Sequence, residues 1–65
     1  MDTQQSKQPG DLDQLERVID AAERHYESSR VPIIVYWDET VQRYRIEYKS
    51  LYKPARTIEV VTIPK

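Results

Sequence analysis

Residues 30 to 53, RVPIIVYWDETVQRYRIEYKSLYK, gather four of the five tyrosines, the only tryptophan and five of the ten basic residues. Aromatic rings beside cations suit two kinds of contact. Ring area can be desolvated in a protein interface with Arg and Lys at its rim, or bases can stack on the rings while the cations neutralise phosphates. The residues that would carry either contact are Tyr36, Trp37, Arg43, Arg45, Lys49, Tyr52, Lys53 and Arg56. Four of them, Lys49, Tyr52, Lys53 and Arg56, cluster around one connection and form the best local candidate for holding an anion.

Catalytic chemistry has less to draw on. His25 is the only histidine; with Tyr44 or Arg45 it could assist RNA cleavage by the phosphate's own 2′-hydroxyl, but no spacing requires this. The chain has no cysteine, so it makes no disulfide and no thiolate site, and a single histidine cannot complete a Cys/His zinc cage. There is no Gly-rich phosphate loop, nucleophile elbow or metal-spaced cluster. No catalytic residue, cofactor or metal is expected.

The elements that must position these residues fit within one domain. At 65 residues the chain lies near the size at which burial alone sustains a fold. Its net charge of −1 conceals an asymmetry: residues 1 to 29 hold three basic and seven acidic side chains, residues 30 to 65 hold seven basic and four acidic. An acidic front therefore precedes a basic back, which would suit an anionic partner. No apolar run reaches the length of a membrane span, and MDTQQSKQPG lacks the basic start and apolar stretch of a signal peptide. A cytoplasmic protein without membrane contact is expected.

Residues 1 to 10 are polar, rich in glutamine and end in Pro9-Gly10, a composition that predicts a disordered tail. Asp11 reads as an N-cap with Gln14 three residues on, and Leu12, Leu15, Ile19, Ala22 and Tyr26, widened by Val18, draw one apolar stripe. The helix should end near residue 29, where Ser28-Ser29 and then Pro32 oppose its continuation. Three strands follow: Val31 to Trp37, Val41 to Lys49 and Thr57 to Ile63. Asp38-Glu39-Thr40 separates the first two, and Ser50 to Arg56 separates the last two. The only glycine is Gly10, so the turns must manage without its easy positive φ.

In the second strand Tyr44, Ile46 and Tyr48 oppose Arg43, Arg45 and Glu47. The first and third strands carry apolar residues on both faces: Val31, Ile33, Val35 and Trp37 oppose Ile34 and Tyr36, and Ile58 and Val60 oppose Val61 and Ile63. One helix cannot cover both faces. Either the sheet curls into a small SH3/Sm-like partial barrel or a second molecule covers the far side, and a homodimer or higher oligomer is the expectation.

YRIEYKS followed by RTIEVVTI resembles the terminal hairpin of RelE/ParE-type ribonuclease toxins and the first strands of WYL ligand-binding domains, while RVPIIVY resembles the start of the first strand of bacterial Sm-like RNA-binding proteins. Three unrelated families share this ordinary strand pattern, so no functional residue follows from it. The sequence predicts an α+β domain over residues 11 to 65, with an N-terminal amphipathic helix packed on a three-stranded antiparallel β-meander. Its expected role is a non-enzymatic regulatory or adaptor module that binds a protein partner, itself included. Nucleic-acid binding by the sheet tyrosines and Arg/Lys is the alternative, against which stands a pI of about 5.7; a RelE/ParE-like ribonuclease is the third reading.

Overall fold

In the computed structural model, which describes residues 11–64, one helix, α1 (Leu12–Ser29), precedes three strands, β1 (Ile33–Asp38), β2 (Arg43–Tyr48) and β3 (Thr57–Ile63). A short 3₁₀ turn at Lys49–Leu51 follows β2. The expectation of a disordered tail over residues 1 to 10 lies outside the described residues.

Asp11 takes an extended conformation and its carboxylate accepts the Asp13 N–H at 3.1 Å, satisfying one of the donors left open in the first turn. At the other end Arg30 is left-handed, with φ 61°, and its N–H returns to the Tyr26 carbonyl at 2.7 Å. Leu15 and Ala22 are buried, with Val18, Ile19 and Tyr26 packed beside them. Leu12 was expected in the same stripe but is 60% exposed. Eighteen helical residues span about 27 Å, whereas six-residue strands span about 20 Å, so the helix outruns the sheet it covers.

The α+β class is as the sequence predicts: one helix on a three-stranded antiparallel sheet. Two features of the sheet refine that expectation. Its order is β2-β1-β3, so β1 is central and β3 pairs with the far edge of β1, whereas a meander in chain order would put β2 in the middle. The sheet is also open, with β2 and β3 as its edges, and does not curl into an SH3/Sm-like partial barrel. The reason for the order is compositional. All six residues of β1 are buried, and the central place alone covers both edges of a strand, while the charged alternate positions of β2 tolerate an edge.

Because β2 and β3 flank the same strand, the chain between them must cross β1. Lys49 N–H donates to the Pro32 carbonyl (2.9 Å) at one end of β1, and the Arg56 carbonyl accepts from Glu39 N–H (3.1 Å) at the other. Between those anchors the connection lies over the face of β1 turned away from α1, and Tyr52 rests on Tyr36 with ring centroids 4.8 Å apart. Ile34 and Tyr36, on that second face, are consequently only 2% and 8% exposed. The apolar second face, from which a covering partner molecule was expected, is covered by the chain itself.

On β3 the apparent two-sidedness is resolved by a bulge. Val61 pairs with Val35 and Ile63 with Ile33, but beyond the irregularity Glu59 pairs with Tyr36 and Ile58 with Trp37. Val60 is the extra residue, which shifts the alternation by one. Ile58, Val61 and Ile63 thus stand beside the helix-facing residues of β1, and Val60 packs against the same core.

Candidate functional site

The structure separates the aromatic residues singled out in the sequence from the cations beside them. Trp37 is 9% exposed and belongs to the core, where it meets Tyr44 edge-on at 5.0 Å between centroids and 74° between planes. Tyr36 is covered by Tyr52, whose hydroxyl lies 2.6 Å from Thr57 Oγ1. Trp37 and Tyr36 therefore do not serve as exposed partner-binding anchors: one faces α1 and the other faces the crossing connection. Burial raises the Tyr36 phenol above the usual tyrosine range, partly offset by Arg45, and burial likewise raises Tyr44, reinforced by the nearby Asp11 carboxylate.

Arg43, Arg45, Lys49, Lys53 and Arg56 are all exposed. Arg43 and Thr57 stand on either side of Asp38 in the sheet register, and Arg56 bonds the adjacent Glu39 backbone, which brings Arg43, Arg45 and Arg56 to one end of β1. Lys49 is anchored at Pro32, the other end, so the Lys49, Tyr52, Lys53 and Arg56 cluster is drawn out along the strand. Arg45 Nη1 lies 3.3 Å from Asp38 Oδ2, while Asp38 Oδ1 accepts the Thr40 N–H at 2.9 Å. Arg45 thus has a structural task, holding the hairpin loop of residues 39 to 42 through a buried carboxylate.

A second site, missed at the level of spacing, forms along the seam between α1 and the edge strand β2. An open groove of about 470 Å³ is lined by Arg17, Val18, Ala21 and β2 residues Arg43 to Ile46. Ile46 is shared with a smaller recess of about 230 Å³ that also includes His25, Ile33, Glu47 and Tyr48. Ile46 is 39% exposed although it lies on the same side of β2 as the buried Tyr44. His25 Nε2 lies 3.1 Å from the Tyr48 hydroxyl. The histidine therefore has Tyr48 as a polar partner. The readable signal was the YRIEY alternation; what sequence could not supply was which edge of β2 stays open.

The backbone of that edge can be assigned. Since Lys49 N–H bonds the Pro32 carbonyl, antiparallel alternation turns the backbone groups of Arg43, Arg45 and Glu47 towards β1 and those of the even-numbered residues outwards. Tyr48 fits this: its N–H is met by Glu47 Oε1 at 3.0 Å, a side chain and not a strand. The site can accept an extended strand, with side chains entering the groove on one face.

Among the described residues no group of three or more His, Cys, Asp or Glu is placed to hold a metal ion, and no helix is long and apolar enough to cross a membrane. No protein-family model matches the chain, and no curated protein or solved structure matches it.

Proposed function

We propose that this chain is a small non-enzymatic adaptor or regulatory module that engages a protein partner along the α1–β2 seam. The observation that carries the reading is Ile46, a large apolar side chain 39% exposed on a regular edge strand, with Val18 and Ala21 beside it and Arg17 and Arg43 at the rim. A strand added to β2 would satisfy the outward backbone groups and cover that apolar floor, the mode in which main-chain bonds give affinity and alternate side chains give specificity. Nucleic-acid binding is less well supported. Tyr36, Trp37 and Tyr44 are buried and present no stacking platform, and the exposed cations alternate with Asp38, Glu39, Glu47 and Glu59.

Affinity capture from a lysate of the source organism tests the reading, with the wild type compared to Ile46→Lys. Proteins retained by the wild type, insensitive to nuclease and lost with Ile46→Lys at unchanged circular dichroism, are the expected result. An identical set retained by both chains overturns the seam as the working surface, and retention that disappears with nuclease or moderate salt overturns the adaptor reading in favour of nucleic-acid binding.

A further inference from the structure

We propose that the β2 edge is a self-complementary interface and that its occupant is a second copy of this chain, paired antiparallel to β2 about a two-fold axis through Ile46; this rests on the seam reading above and names its partner. One free edge of the sheet is β2, Arg43–Tyr48, and its central segment is Tyr44-Arg45-Ile46-Glu47-Tyr48. Turned about its middle residue the segment reads as its own complement. Ile46 meets the partner's Ile46, Tyr44 meets the partner's Tyr48, Arg45 meets the partner's Glu47, and Glu47 meets the partner's Arg45.

Strand parity and charge together select that register. Backbone geometry requires even-numbered residues to pair with even-numbered ones, because those are the positions whose main-chain groups point outwards, as the Tyr48 N–H shows. Face matching requires the helix-side residues Tyr44, Ile46 and Tyr48 to fall together, which the same registers achieve. Charge then chooses among them. Centring on Arg45 or on Glu47 would oppose like charges at the axis, whereas centring on Ile46 forms two opposite-charge pairs beside the axis; the same register sets Arg43 opposite the partner's Lys49 at each end, where both side chains are exposed to water and their repulsion is screened. Arg45 can serve both contacts, since Asp38 takes Nη1 alone and the side chain is 51% exposed.

The rest of the fold agrees with β2 as the edge that is used. The β3 edge carries the bulge at Val60, which twists a strand out of plane and blunts it against addition, while β2 keeps unbroken register with β1 from Tyr48 to Arg43. Pairing would give a continuous six-stranded sheet with both helices on one face. It would also cover Ile46 in each copy and bring the partner's Tyr44 up to the recess lined by His25 and Tyr48.

Sedimentation velocity over a concentration series, on the wild type, Arg45→Glu, Glu47→Arg and an equal mixture of the two variants, tests the proposal. The wild type is expected to dimerise reversibly, and each single variant to dissociate roughly tenfold more easily because two attractive cross-strand pairs become repulsive. Mixing them restores opposite charges across the axis, so heterodimer formation at wild-type strength is the decisive result, and it cannot arise from a folding defect in either variant. A wild type that stays monomeric overturns the proposal while leaving the seam reading to stand if Ile46-dependent capture of another protein persists; if that capture is also absent, both fail. A wild-type dimer indifferent to all three samples places the contact elsewhere and overturns it as well.

Discussion

Tyr36 and Tyr44 keep their protons to higher pH in the folded chain than in the unfolded one, because burial disfavours the phenolate in both. The sign of the linkage follows. Below about pH 10 both states are protonated and the full stability is present. As pH rises through that value the unfolded chain releases protons that the folded chain still holds, so stability is lost. Urea unfolding between pH 8 and 11 should show a falling midpoint, and Tyr36→Phe should flatten part of that fall; an unchanged slope in the variant would assign the loss to other groups. At this scale the sequence was a partial guide. It marked Trp37 and Tyr36 as neighbouring contact residues, but adjacent positions on a strand point opposite ways, so the two rings are buried under different covers and neither forms part of one exposed aromatic surface.

Elements here are joined by turns that lack glycine. Arg30, Gln42 and Arg56 take φ of 61°, 56° and 59°: one ends α1, one closes the β1–β2 hairpin and one leads into β3. A residue with a Cβ is disfavoured in that region by about 1–2 kcal/mol, and glycine recovers only part of this because it also loses more entropy on folding. Arg30→Gly and Gln42→Gly are each expected to stabilise the domain by about 0.5–1 kcal/mol, seen as a rise of several degrees in the midpoint of a thermal melt; a fall would mean that the side-chain contacts outweigh the strain. Gln42 makes this a fair test, since its side-chain amide also donates to the Glu39 carbonyl at 2.9 Å. The helix was legible almost to the residue, because cap and stripe are both local signals. The start of β2 was not. Asp38, read as the start of a polar loop, bonds Thr40 N–H and Arg45 instead, so the strand pair closes on Asp38 and Arg43 and the loop becomes residues 39 to 42. The bulge at Val60 left no sign in composition, and without it the alternation of β3 reads as two-faced.

As a whole the molecule is three layers deep at its centre: α1, then β1, then the crossing connection under Tyr52. β1 alone has neighbours on both edges and cover on both faces. Native-state hydrogen exchange should therefore find the slowest amides in Ile33–Asp38, opening only with global unfolding, while the outward amide of Ile46 exchanges early at dilutions where the chain is monomeric and becomes protected at concentrations where the β2 edges pair; an Ile46 amide that stays fast at every concentration would mean that this edge is left open. The strand order was beyond the reach of sequence because it depends on which strand gains most from the central place, a comparison among strands and not a property of any one of them. That order also has a consequence for biogenesis. A ribosome releases α1, β1 and β2 before the connection and β3, so a nascent chain can pack its helix and first hairpin while Ile34 and Tyr36 still face water. For that interval the most apolar strand has one open edge and one bare face, the condition in which new chains adhere to one another, and it ends only when Tyr52 has crossed and β3 has zipped down the far side.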